Sequence, residues 1–193
     1  MGKILGIILV VLLASAAIGG GWFVRTGNQL VALDELVNEK KAQVENVYQR
    51  RADLIPNLVN TVKGYAKHEA TVLEEVTQAR SQVGQVKLDK PEDLPQFEKA
   101  QSQLSGALSR LLVVAEKYPD LKADKNFMEL QSQLEGTENR ITIERQRFNE
   151  ASREYNIYVR TFPQAIVAGF RGFKERPYFA AQTGSQTAPK VEF

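Results

Sequence analysis

Residues 4–24 read ILGIILVVLLASAAIGGGWFV, and residues 25–58 continue as RTGNQLVALDELVNEKKAQVENVYQRRADLIPNL. The first run carries no charged side chain, and 21 residues at about 1.5 Å each span roughly the 30 Å of a bilayer core. After Arg25 the apolar pattern changes from continuous to periodic. Leu30, Leu33, Val37, Val44, Val47, Leu54, Leu58, Tyr65, Val72, Val76, Val83 and Val86 follow one alternating three- and four-residue seam. A membrane span, Ile4 to Val24, therefore leads into a long amphipathic helix whose stripe needs partner helices to cover it.

The rest of the chain supplies such helices. One starts near Asp93, which can cap it, with Gln96 at the capping-box position, and carries the seam Leu94, Phe97, Leu104, Leu108, Leu111, Ala115 and Tyr118 until Pro119 stops it. Asn126 can cap the next, whose seam is Phe127, Leu130, Leu134, Thr137, Ile141, Glu144, Phe148, Ala151, Tyr155, Tyr158 and Phe162. A short apolar helix from Gln164 to Phe170 follows. No stretch alternates with period two for long enough to suggest a sheet. The expected fold is all-α, an N-terminal transmembrane helix continuing into a long up-and-down antiparallel helical bundle. Its parts are an anchor over 1–24, a bundle over 25–179, and a Thr/Gly/Ser/Gln-rich disordered tail over 180–193.

Two points along the first helix stay open. Pro56 either kinks a helix that keeps its seam in phase, or opens a new one capped by Asp53. Ala14-Ser15-Ala16 resembles a signal-peptidase site, but the apolar run continues past it to Trp22, which favours a retained anchor. Lys3 before the span mildly favours a cytoplasmic N-terminus and an exported bundle.

Among 193 residues there is no cysteine and one histidine, which excludes disulfides, thiol catalysis and cysteine metal sites. A net charge of +2 with interspersed signs does not point to nucleic acid. No phosphate-binding loop is present, so neither metal nor cofactor is expected. His68-Glu69 lacks a second ligand or an oriented nucleophile and reads as a helix-contact pair rather than a catalytic one. Arg51, Glu144 and Lys40 fall on seam positions, where they either snorkel at the edge or pair across helices and fix register. Gly64, Gly106 and Gly136 suggest close helix approach or simple tolerance. The segment from Phe170 to Phe179 mixes aromatics with Arg171, Lys174 and Arg176. It is either a lipid-binding edge or a lid on the bundle end, and its short charge run favours the lid.

Several runs occur in order from Trp22 to Phe179: Arg50-Arg51-Ala52-Asp53-Leu54-Ile55-Pro56-Asn57-Leu58-Val59, then Val62-Lys63-Gly64-Tyr65-Ala66-Lys67-His68-Glu69, Ala79-Arg80, Tyr118-Pro119-Asp120-Leu121-Lys122-Ala123, Asn126-Phe127, Leu130-Gln131, Phe148-Asn149, Tyr155-Asn156 and Phe162-Pro163. Together they resemble the LemA family of bacterial membrane-anchored helical proteins. The tail after Phe179 lies outside the pattern. The resemblance implies a membrane anchor, a helical bundle, no established enzymatic activity and no cofactor. Some members are associated with forming or shaping bacterial membrane compartments.

The expected function is a non-enzymatic scaffold that self-assembles at a bacterial inner (cytoplasmic) membrane, single-pass, with its bundle on the periplasmic or extracytoplasmic side. The alternative is an adaptor or regulator of a membrane protein partner such as a protease. Self-association is expected through Leu30, Leu33, Val37, Val44 and Val47. A first helix of about 85 Å, a second of about 37 Å and a third of about 54 Å leave that stripe uncovered in the same chain.

Overall fold

A computed structural model describes residues 2–66, 68–88 and 90–180. The expected tail therefore lies, apart from Ala180, outside the described residues, as does Lys67 of the family-like run. Among the described residues, six α-helices follow one another: α1 (Gly2–Tyr65), α2 (Ala70–Gln85), α3 (Leu94–Ala115), α4 (Pro119–Lys122), α5 (Lys125–Arg160) and α6 (Gln164–Arg171), with a 3-10 turn at Pro91–Asp93 before α3. No strand occurs among the described residues. The fold is all-α, with a long apolar N-terminal helix leading into a helical bundle.

Two compact units share the long helices. The first combines α1 up to Lys41 with Asn149–Arg176; the second takes Ala42–Phe148 and the chain from Pro177. α1 contains a stretch long and apolar enough to cross a membrane, none of it buried by the protein.

In the second unit, side-chain contacts fix the directions. Arg80 of α2 meets Ala52 of α1, so α2 runs back along α1. Tyr48 meets Phe97, and Arg51 meets Gln101 and Ser105, so α3 runs parallel to α1. Tyr65 meets Asp124 and Arg51 meets Glu138, so α5 runs antiparallel. Ile55, Leu58 and Val62 of α1, Val76 of α2, Leu104 and Leu111 of α3, Leu121 of α4 and Phe127 of α5 form one continuous core.

The expected single helix from Leu30 to Val86 is in fact two. α1 passes through Pro56 unbroken and ends at Tyr65, and the chain reverses over Ala66–Glu69. This adds one antiparallel helix and turns the last long helix around. In the first unit, Asn149–Arg176 accordingly packs with α1 residues before Lys41. The uncovered stripe does not survive: Leu30 and Val44 are 0 % exposed, Val37 is buried, and Leu33 and Val47 are half-buried.

The buried phase of α1 also differs from the expected seam. Leu30, Val37, Val44, Arg51 and Leu58 are buried together with Tyr48, Ile55 and Val62, each four residues past one of that series, whereas Leu33, Val47 and Leu54 only flank it.

Capping corrects two further expectations. The Asp93 carboxylate accepts the Lys90 N–H at 2.8 Å and closes the 3-10 turn rather than capping α3. α5 is capped by Asp124, whose Oδ1 accepts the Phe127 N–H at 2.9 Å, and Asn126 lies inside the helix. Gly64 and Gly136 have nothing near the position of a Cβ, and Gly106 has only the Arg110 guanidinium at 3.9 Å, so none marks a close approach. The glycine that does is Gly27, where a Cβ would collide with the Arg171 guanidinium.

Candidate functional site: a buried arginine between two grooves

Arg51 stands at a core position of α1 and is 3 % exposed. An isolated buried guanidinium costs several kcal/mol, so it must find partners. Its Nη1 donates to Glu138 Oε2 at 2.7 Å and to Ser105 Oγ at 3.2 Å, and its Nη2 donates to Gln101 Oε1. The Tyr48 ring packs against the guanidinium at 5.2 Å. Burial, the largest influence, pushes the Tyr48 phenol up; Arg145 and Arg51 oppose it. Arg51 thus ties α1, α3 and α5 together, the register-fixing alternative for this residue. Glu144 pairs with Arg147 on its own helix and Lys40 with its neighbour Glu39, both within one helix.

Two grooves flank this cluster. One, of about 480 Å³, is lined by Arg51, Glu98, Lys99, Gln101, Ser102 and Arg145, among others. The other, of about 280 Å³, lies along Leu58, Leu108, Leu112, Leu134 and Glu138, with Arg51 at its edge. Arg51 Nε and Gln101 Nε2 are buried donors with no partner among the described residues. Beside the first groove, Arg145 pairs with Glu98 at 3.0 Å, and the two hold the Ala180 backbone between them. The preceding Phe179 is buried with its ring 5.1 Å from Phe148 and under Arg145. This end of the basic-aromatic segment packs as a lid.

The other motif residues do structural work. Pro56 has no N–H for the Ala52 carbonyl four residues earlier; Arg80 Nε donates to that carbonyl instead, at 2.8 Å. Ile55 and Leu58 are core, Leu54 and Val59 are half-buried at its margin, Asp53 accepts from Gln49, and Asn57 is exposed. At the Ala66–Glu69 reversal, the Tyr65 hydroxyl donates to Asp124 Oδ2 at 2.9 Å and the Tyr118 hydroxyl to Glu69 Oε1 at 3.3 Å. Gly64 and His68 are exposed. Pro119 opens α4, and Phe127 is core.

In the first unit, the Tyr155 hydroxyl donates to the Lys174 carbonyl at 2.9 Å, and the Asn156 amide pairs with both backbone groups of Arg176 at 2.8 Å. Phe162 is 77 % exposed and is no part of the core, and half-buried Pro163 precedes α6. Among the described residues, no three His, Cys, Asp or Glu side chains gather as a metal would need.

Gln101, Ser105, Glu138 and Asp124 carry much of this network without being singled out in the sequence, and Arg80 was marked there only as part of a family-like run. Gln101 left a trace there. It falls on the α3 seam between Phe97 and Leu104, a polar residue at a core position.

The LemA family profile matches residues 40–193, so the likeness begins after the span and continues past Phe179 into the tail. Among curated proteins, the chain is 25% identical over 181 residues to Magnetosome protein MamQ 2 of Paramagnetospirillum magneticum, covering 83% of this chain. It is 24% identical over 181 residues to Magnetosome protein MamQ of Magnetospirillum gryphiswaldense, again over 83% of this chain. The chain spans 66% of the length of these two relatives, just under two thirds. Protein LemA of Metamycoplasma hominis is 25% identical over 153 residues, covering 78% of this chain and 68% of that protein. The match over most of its length places the chain in a family: it belongs to the LemA family.

Proposed function

We propose that this protein is a non-enzymatic scaffold, anchored in a bacterial inner membrane by Ile4 to Val24, that assembles with copies of itself and organises the membrane around it. The observation that carries the reading is the course of α1. One helix, Gly2–Tyr65, contains both the apolar span and the core residues Ile55, Leu58 and Val62, with no loop between them. A helical connection ties a span to the helices it packs with more directly than a flexible linker would. Membership of the LemA family and the likeness to proteins named as magnetosome proteins support a membrane setting. In the polar network around Arg51, Ser105 and Glu138 both serve as acceptors for the guanidinium, which supports a structural role. Lys3 before the span supports an exported bundle. Because Leu30, Val37 and Val44 are buried within the chain, self-assembly uses other faces.

The second reading, an adaptor for a membrane protein partner such as a protease, is favoured by the groove of about 480 Å³ beside Arg51. The two readings differ in what the protein does alone. Reconstituted at rising density in vesicles and cross-linked, a scaffold gives assemblies that grow without any other protein. A species that stays monomeric at every density rejects the scaffold and leaves the adaptor.

A further inference from the structure

We propose that α6 lies in the membrane–water interface, seating Ile166 and Phe170 among lipid acyl chains with Arg171 at the level of the lipid phosphates. The inference rests on the reading of Ile4 to Val24 as a membrane span.

α6 is apolar on two sides. Val167 and Ala168 are buried in the first unit. On another side, Phe162 in the preceding turn, Ile166 and Phe170 are 77 %, 60 % and 81 % exposed. Ile166 and Phe170, four residues apart within α6, lie on one stripe of the helix, and Phe162 is exposed in the turn before it. Two large apolar side chains on one helical stripe, with a third exposed in the turn before them, mark a contact surface rather than chance exposure.

The contacts of α6 with α1 indicate what covers these side chains. The Phe170 ring meets the Phe23 ring edge-on at 5.8 Å, and Phe23 is the penultimate residue of the charge-free run. If that run spans a bilayer, Phe170 stands at the rim of the hydrocarbon. Arg171 packs against Gly27, four residues and about 6 Å further along α1. The polar layer on each side of a bilayer is about 5–7 Å thick, so this step carries the guanidinium from the hydrocarbon rim into the headgroups. Apolar residues facing inward and a cation one step outward are the arrangement of a helix that lies on a membrane.

The geometry is fixed before lipid arrives. Gly172 adopts φ 77°, a left-handed conformation that ends α6 and turns the chain away. The strand of chain beyond is pinned by Tyr155 and Asn156 to the Lys174 and Arg176 backbone. α6 is thus a preformed surface with no ordering step left to make.

The chain has no cysteine, so Ile166→Cys introduces a unique site for an environment-sensitive fluorophore, and Met128→Cys, an exposed position on α5, serves as reference. The full chain is reconstituted in phosphatidylcholine–phosphatidylglycerol vesicles, and flotation with the vesicles checks the anchor separately. The expected result is that the label at 166 is quenched several-fold less by aqueous iodide than the label at 128. A nitroxide near the lipid headgroup should quench it more than a mid-chain nitroxide. This protection should persist at one chain per vesicle. Equal iodide access at both positions in chains that float overturns the proposal while leaving the anchor intact. Protection that disappears on dilution assigns the stripe to a second copy and also overturns it. Failure to float removes the anchor and the inference together.

Discussion

The Arg176 guanidinium donates to Asp34 Oδ1 twice, from Nε at 3.1 Å and from Nη2 at 2.7 Å, across 142 positions of sequence. Asp34 is half-buried, four residues past the buried Leu30, where an unpaired carboxylate would be partly desolvated. Arg176 also lies 6.0 Å from the Tyr155 ring, and Asn156 grips its backbone. The pair closes the first unit by tying the last described part of that unit to the first helix, over the very stripe that sequence reasoning left open.

That closure is measurable. Both side chains are about a quarter exposed, so water screens part of the attraction. A double-mutant cycle of Asp34→Asn and Arg176→Gln is expected to give a coupling of about 1 kcal/mol, with each single variant less stable than the protein itself. Additive effects in denaturant titrations would show that the contact contributes packing alone.

Phe148 is buried on α5 with its ring edge against Phe179. Phe148→Ala should cost about 3–5 kcal/mol, because the lid and helix around it close only partly over the cavity. Phe162→Ala, by contrast, removes an exposed ring and should leave the melting temperature of the bundle in detergent unchanged. An equal loss for both would contradict the burial difference between them.

Arg51 gives a prediction that separates charge from packing. Arg51→Ala leaves Gln101 and Glu138 without their donor and opens a hole, at an expected cost of about 3 kcal/mol. Glu138 is 43 % exposed and can rehydrate, which keeps the figure at the low end of the range for buried pairs. Arg51→Met fills most of the volume and should cost clearly less. If the two variants melt together, the arginine acts through its charge alone.

Much of the fold was legible in the change from a continuous to a periodic apolar pattern, since that contrast follows from what each segment must face. The reversal at Ala66–Glu69 was not legible. It contains no proline, and Val72, Val76 and Val83 keep a helical spacing that reads as continuation. Pro56, the obvious breaker, proved harmless because Arg80, 24 residues on, supplies the hydrogen bond that it removes. The true phase of α1 was masked by Asp34 and Arg51, polar residues beside and within a buried series. Their presence there makes sense only with Arg176 and Glu138 in place. The motif run around Arg51 located the network, but its partners on α3 and α5 are non-local and were out of reach.

The reversal should show its own pH dependence. The Phe127 N–H and then the Tyr65 hydroxyl, both donating to Asp124, hold its carboxyl below the ordinary 3.8. The same bond, as its first cause, pushes the Tyr65 phenol above the ordinary 10.0. A lowered acid stabilises the fold above its unfolded value and loses that contribution as pH falls through the folded one; a raised phenol stabilises below its unfolded value and loses it as pH rises. The difference in melting temperature between the protein and Asp124→Asn should therefore be largest at neutral pH and shrink below about pH 4. That between the protein and Tyr65→Phe should shrink above about pH 10. Differences that stay flat from pH 3 to 7 would remove the carboxylate from this role.

The last prediction concerns how α1 survives its proline. The Ala52 carbonyl, half-buried, accepts from Arg80 Nε because Pro56 cannot donate to it. Arg80→Met should strand that carbonyl and cost about 1–2 kcal/mol, the penalty of a partly buried acceptor left unsatisfied. Pro56→Ala restores an N–H at position 56 that reaches the same oxygen within the helix. In that background Arg80→Met should cost less than half as much, since the carbonyl already has a donor. Chemical denaturation of the four proteins tests this directly. An equal cost of Arg80→Met in both backgrounds would mean that Arg80 does not substitute for the missing backbone bond, and that the helix crosses Pro56 by packing alone.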